Sequence, residues 1–175
     1  MQELYKYAKK MLPNEVVRFV SSWMLIKSKS LPTTDKQIQG SPWMHTSQDD
    51  VLTNVLHYCQ SRVEKETNLQ LSPTYGYTRL YRPGADLQPH LDRPACEISV
   101  SITMQYSYKN KNYRWPICME NKPIIIELGD GVIYKGCEVS HWRPIFTEDP
   151  TSWHHQIFLH YVDLNGPYSK LKKEV

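Results

Sequence analysis

The amino-acid sequence predicts a mainly β fold, a β-sandwich or jelly roll, backed by supporting α-helices on its N-terminal side. Three observations predict it. Two segments within the first 70 residues carry apolar residues at helical spacing. From about residue 75 the pattern changes to short β-branched and aromatic runs. Those runs are regularly punctuated by Pro, Gly and Asn, and helices followed by such strands suit a layered β fold rather than alternating βα units.

The elements follow in order. Asn14 is expected to cap a helix over "EVVRFVSSWMLIKS", with Val16, Phe19, Val20 and Trp23 as its apolar stripe. A polar, Pro-containing connection covers roughly residues 30 to 47. The second helix is expected in "SQDDVLTNVLHYCQSRVEKET", with acidic residues in its first turn and a stripe of Val51, Val55, Leu56, Cys59 and Val63. His57 lies off that stripe and reads as surface or packing. Strands are expected at "YGYTRLY", "EISVSITMQY", "PIIIEL", "GVIYKG" and "HQIFLHYVD". With 175 residues, no internal repeat and no linker, the chain reads as a single domain.

Composition narrows the class. Hydrophobic residues make up 40% and the mean hydropathy is −0.57, values of a soluble globular chain without an apolar run long enough to span a membrane. "MQELYKYAKKMLPNEVV" spreads its charges and has no apolar core, against a secretory signal. The four cysteines are scattered without a C-x-x-C, so reduced thiols and a cytoplasmic location are expected. A net charge of +3 permits a nucleic-acid partner but does not favour one, and the tail "SKLKKEV" reads as a solvated end.

The chemistry centres on "PGADLQPHLDRP", residues 83–94. His90 and Asp92 are two apart and would share one face of a strand. About 50 residues on, "GDGVIYKGCEVSHWRP" reads as a second strand ending in His141. A jelly roll brings distant strands together, so His141 can complete a triangle with His90 and Asp92. Two imidazoles and one carboxylate on one face of a metal leave positions open for a chelating co-substrate and O2, which is the facial triad of non-haem Fe(II) oxygenases.

"YTRLYRPGADLQPHLDRPACEISVSITMQYS", "PIIIELGDGVIYKGCEVSHWRP" and "HQIFLHYVD" together resemble the catalytic core of the Fe(II)/2-oxoglutarate-dependent dioxygenases, in their prolyl-4-hydroxylase-like branch. The resemblance implies a double-stranded β-helix (jelly-roll) core over about residues 74–164, a helical buttress over about 1–70 and a short C-terminal tail. It implies Fe(II) held by His90, Asp92 and His141, with 2-oxoglutarate and O2 as co-substrates. The reaction implied is hydroxylation of an unactivated C–H bond with oxidative decarboxylation of 2-oxoglutarate to succinate and CO2. Related halogenases lack the carboxylate, so Asp92 favours hydroxylation.

Such a site needs a cation for the distal carboxylate of 2-oxoglutarate. The family supplies Arg or Lys roughly nine to thirteen positions after the last histidine; here "PTSWHH" fills that window and His154 takes the basic residue's place. Arg143, two past His141, is the first candidate to replace it, because a guanidinium binds a carboxylate bidentately. A surface pairing with Glu138 or Glu148 is its alternative reading. Tyr81 is a candidate co-substrate ligand and Arg79, on the same strand face, a reserve cation.

Substrate contacts are expected from His160, which alternates with Phe158, and from Tyr113 and Trp115. The latter two belong to "YSYKNKNYRWP", which reads as an exposed hairpin with flanking aromatics packed down, or else as a substrate-contact loop. A protein or peptide substrate, proline foremost, rests on family analogy, and a small molecule is also compatible. Demethylation of nucleic-acid bases by the same chemistry is one alternative; a non-catalytic, cupin-like metal-binding domain is the other.

Overall fold

The computed structural model describes residues 3–171. Two antiparallel sheets face each other, and two helices cover the outer face of the larger one. The larger sheet has six strands in the order β1 (Tyr5–Ala8), β8 (Gly131–Lys135), β5 (Ile98–Ser107), β10 (Trp153–Asp163), β3 (Leu71–Tyr81) and β2 (Trp43–His45). The smaller runs β4 (Leu87–His90), β9 (His141–Arg143), β6 (Ile117–Met119) and β7 (Lys122–Ile124). From β3 onward the chain alternates between the two sheets, apart from the β6–β7 pair, as in a jelly roll. No helix among the described residues is long and apolar enough to cross a membrane.

Helices α1 (Asn14–Lys27) and α2 (Asp50–Thr67) pack on β5 and β3 through a core that includes Val20, Leu52, Leu56, Cys59, Val100, Ile102, Ile157 and Leu159. Strand alternation sets the division. In β10, Ile157 and Leu159 face the helices, while Phe158 and His160 face the space between the sheets. In β5, Val100 and Ile102 face the helices, whereas Ser99, Ser101 and Thr103 bond to β10 side chains on the opposite face.

Several expectations are corrected. Pro13, extended at φ −62° and ψ 151°, takes the cap position of α1, and Asn14 is the first helical residue. The buried stripe of α1 is Val17, Val20, Ser21 and Met24, while Phe19 is 64% exposed. Adjacent apolar residues, Val16–Val17 and Trp23–Met24, make the stripe readable one position off. In α2, Leu52 is buried and Val51 only partly so; Asp49 caps the helix by accepting from the Val51 amide at 2.8 Å. The segment expected to be a helical buttress also supplies β1 and β2. Of "PIIIEL" only its first two residues lie in β7; the chain then leaves the sheet through a turn at Gly129, φ +77°. There a Cβ would meet the Leu12 carbonyl at 3.0 Å, so glycine suits both the backbone angle and the close approach. Of the tail, 169–171 form one 3₁₀ turn and 172–175 lie outside the described residues.

His155 is buried on the helix-facing side, with Thr78 Oγ1 at 2.7 Å and Ser21 Oγ at 3.3 Å. Burial pushes its pKa down to about 3. The unfolded chain therefore takes up a proton below about pH 6.5 that the folded protein refuses, so stability is full above that pH and falls as pH drops toward 3. His155 alone is expected to remove about 2 kcal/mol between pH 7 and pH 5. Urea midpoints at the two pH values check this: His155→Phe should lose less on acidification than the unsubstituted protein.

Candidate metal centre

His90, Asp92 and His141 converge at one end of the space between the sheets. Their ligand atoms all lie within 4.8 Å of one another. Asp92 Oδ1 is 3.9 Å from His90 Nε2 and 3.6 Å from His141 Nε2. The residues arrive there differently from the expectation of two on one strand and one at a strand's end. His90 ends β4 and pairs with His141, the first residue of β9; Asp92 lies beyond β4, and β8 stops at Lys135. The Asp92 amide donates to the Gly136 carbonyl at 2.9 Å, which ties the carboxylate loop to the turn between β8 and β9.

Each histidine is oriented by its other nitrogen. His90 Nδ1 lies 2.8 Å from the Gln88 carbonyl and His141 Nδ1 3.0 Å from the Val139 carbonyl. A carbonyl only accepts, so both rings carry their proton on Nδ1 and turn a bare Nε2 toward Asp92. Asp92 divides its oxygens: Oδ1 faces the histidines and Oδ2 accepts the Ser99 hydroxyl at 2.8 Å. Burial holds the His141 pKa below its ordinary value, against the opposing pull of Asp92, and so favours the neutral, ligating form.

A cavity of about 350 Å³ opens onto this cluster, with Tyr77, Leu87, Ile117, Phe158 and His160 among its walls. The remaining candidates lie behind the walls. Arg143, on β9 with His141, is 1% exposed and stacks over Trp115 at 4.6 Å. Its NH2 donates to Gln156 Oε1 at 3.0 Å and its NH1 to the Trp115 carbonyl at 3.2 Å, while Nε has no hydrogen-bond partner. Among the described residues no carboxylate pairs with it, which removes the surface pairing with Glu138 or Glu148. Burial lowers its pKa. Tyr81 is buried beside it, its ring 5.9 Å from the guanidinium. Arg79 does have a counter-charge, Asp35 in the chain before β2, although its Nε and NH1 are buried without partners.

His154 offers no cation. Nε2 lies 2.8 Å from the Gln156 side-chain oxygen Oε1 and so bears the proton, and Nδ1 accepts from the Tyr108 hydroxyl at 2.6 Å. Burial and the neighbouring Arg143 hold it well below the ordinary histidine range. Tyr113 and Trp115 are likewise away from the cavity. Trp115 fills the space between Tyr81, Phe146 and Arg143, and Tyr113 stacks on Phe146. Their loop is fastened, with the Lys109 amide on Glu148 and its ammonium on Asp149, so it packs down rather than covering the cavity.

No protein-family model matches the sequence, and no curated protein does. Solved structures do. A prolyl-4-hydroxylase from Pseudomonas putida matches with TM-score 0.64 and 16% identity over 91% of this chain and 93% of that one. A prolyl hydroxylase from Trichoplax adhaerens, in complex with a hypoxia-inducible-factor oxygen degradation domain peptide, matches with TM-score 0.67 and 14% identity over 99% and 89%. HygX from Streptomyces hygroscopicus, with nickel, 2-oxoglutarate and hygromycin B bound, gives 0.69 and 10% over 93% and 84%. The fold is the one these oxygenases share. In that fold the chain places two imidazoles and a carboxylate together, and on the strand of His141 a buried arginine with no counter-charge among the described residues.

Sequence reasoning passed over Ser99, Gln156 and Gly136. The first two had a signal: "SVSIT" and "HHQIF" put polar residues at period two inside apolar strands, which marks a polar inner face. Gly136 had none. Its role comes from a close approach, since a Cβ there would lie 2.5 Å from Asp92 Oδ2 and also strike the Cys96 carbonyl.

Proposed function

We propose that the protein is an Fe(II)- and 2-oxoglutarate-dependent oxygenase that hydroxylates an unactivated C–H bond. One observation carries the reading: three side chains from two distant parts of the chain turn two bare Nε2 atoms and one carboxylate oxygen toward a common point, in the shared oxygenase fold. The donor set fits a facial N₂O site, which suits non-haem Fe(II). His90, Asp92 and His141 would hold the ion, and Ser99 would keep Asp92 turned toward it. Bound there with 2-oxoglutarate and O2, the iron supplies oxidative decarboxylation to succinate and CO2 together with the oxidising power for a C–H bond.

Fit to 2-oxoglutarate is supported by Arg143. A buried guanidinium without a counter-charge is costly, and a carboxylate that meets its orphaned Nε–H offsets that cost. Tyr81 would add a phenolic hydroxyl on the same side. Arg79 already neutralises Asp35, so Arg143 is the principal anchor. The filled Asp92 position favours hydroxylation over halogenation. Substrates of two sizes suit the fold, a peptide or a small molecule, since the Trichoplax enzyme is seen with a peptide and HygX with hygromycin B. Four free cysteines, three of them buried, support a reducing, cytoplasm-like setting.

The test is formation of succinate from 2-oxoglutarate by the Fe(II)-reconstituted protein in air, with proline peptides and small molecules offered as stimulants. Succinate above the metal-free control is expected, and its absence throughout would remove the oxygenase reading. Gly136→Ala is a finer probe. Displacing Asp92 through its supporting turn should weaken Fe(II) binding about 10- to 100-fold, measured by competition with a chelator.

A further inference from the structure

Among the described residues that line the cavity, His160 alone has a fully buried side-chain polar atom, Nε2, without a hydrogen-bond partner. A buried polar atom left unpaired costs its lost hydration, so one on a residue that lines a cavity points to a ligand. The ring is held firmly. Tyr75 packs on it at 4.6 Å and Tyr77 at 5.9 Å, and the β3–β10 pairing shifts register between His160 and Tyr161, a bulge that re-aims the side chain.

The hydrogen bonds around Ser99 fix which proton the ring carries. Ser99 Oγ lies 2.8 Å from Asp92 Oδ2, 3.1 Å from the Cys96 carbonyl and 2.8 Å from His160 Nδ1. It has one proton, and the carboxylate is the strongest of the three acceptors. With that proton given to Asp92, Ser99 can only accept from His160. Nδ1 therefore bears the hydrogen, and Nε2 of the neutral ring presents a lone pair.

We propose that His160 Nε2 accepts a hydrogen bond from an O–H or N–H of the substrate, and that the cavity selects a compact apolar or aromatic group bearing such a donor. This rests on the reading of the cavity as the substrate site of the proposed oxygenase. Its apolar walls agree with the selection: Tyr77, Phe158, Leu87 and Ile117 offer apolar and ring contact. A site built to receive a donor rejects the analogue lacking it more strongly than it rejects a change of shape. The ring nitrogen of a prolyl residue carries no hydrogen, so a proline substrate would have to satisfy His160 from a neighbouring group.

The test uses the full chain with Zn(II) added and phenol and anisole as probes, two rings of similar shape of which only phenol donates. Methyl resonances of Leu87 and Ile117 report affinity, and the ¹⁵N resonances of His160 report its protonation. Phenol is expected to bind at least roughly tenfold tighter than anisole. The preference should collapse in His160→Phe and persist in part in His160→Gln, whose amide oxygen can accept. In the unsubstituted protein Nε2 should appear unprotonated and shift on adding phenol. Equal affinity for the two probes, no phenol binding, a preference that survives His160→Phe, or a protonated Nε2 would each overturn the proposal. The ¹⁵N measurement needs no variant, so it decides even where a substitution prevents folding. Neither readout involves turnover, so a failure to form succinate would count against the oxygenase reading alone.

Discussion

Asp92→Ala is expected to weaken Fe(II) binding by at least about 100-fold and to reduce succinate formation to the metal-free background. Loss of a partner one step removed from a metal costs about 10- to 100-fold, and a ligand itself carries at least that much. The substitution also strips Ser99 of its carboxylate acceptor and leaves His90 and His141 as the only donors of the triangle. Two neutral imidazoles supply no negative charge, so the ion loses both a bond and its compensation. Chelator competition measures the affinity and a succinate assay the turnover. Unchanged Fe(II) affinity would place the metal elsewhere. The fold should survive, because Asp92 is near the surface of the cavity and outside both sheets.

Arg143→Leu is the second large effect. The guanidinium is buried among Trp115, Tyr81 and Gln156, with no counter-charge among the described residues. Removing it would leave the distal carboxylate of 2-oxoglutarate buried and unpaired, a loss of about 3 kcal/mol, or roughly 100-fold in affinity. Fe(II) affinity should change little, since Arg143 bonds none of the three ligands. Stability should fall less than for a polar truncation, because leucine fills part of the same apolar wall. Direct binding of 2-oxoglutarate to the Fe(II) protein without O2 measures the effect. Should affinity stay the same, Arg79 is the residue to replace next, as its Nε and NH1 are the other buried guanidinium nitrogens without partners among the described residues.

The sequence was most legible where a local pattern reports a global one. His90, Asp92 and His141 stand close to strand signals, and antiparallel pairing of His90 with His141 brings them together. The placement of Arg143 on the same side as His141 was readable for the same reason, two residues on along an extended strand, so both side chains are buried. Short strands were less legible. Three-residue β6, β7 and β9 lack the length for a periodic signal, and β1 is recognisable only through its pairing with β8. Side-chain destination was the weakest reading. Tyr113 and Trp115 look like contact residues in a basic, aromatic loop, yet Trp115 stacks against Arg143 and Tyr113 packs on Phe146. His154 occupies the position of a cation but is drawn into a neutral chain with Tyr108 and Gln156. Both outcomes depend on contacts between residues tens of positions apart, which no local window contains.

The measurement that tests the central claim most directly is calorimetric titration of 2-oxoglutarate into the protein under anaerobic conditions, with and without Fe(II). The account predicts one equivalent bound in the presence of Fe(II), with binding weakened about 100-fold by Arg143→Leu and lost with the metal in Asp92→Ala. Absence of binding to the Fe(II) protein, or the same affinity without the metal and in both variants, would contradict it.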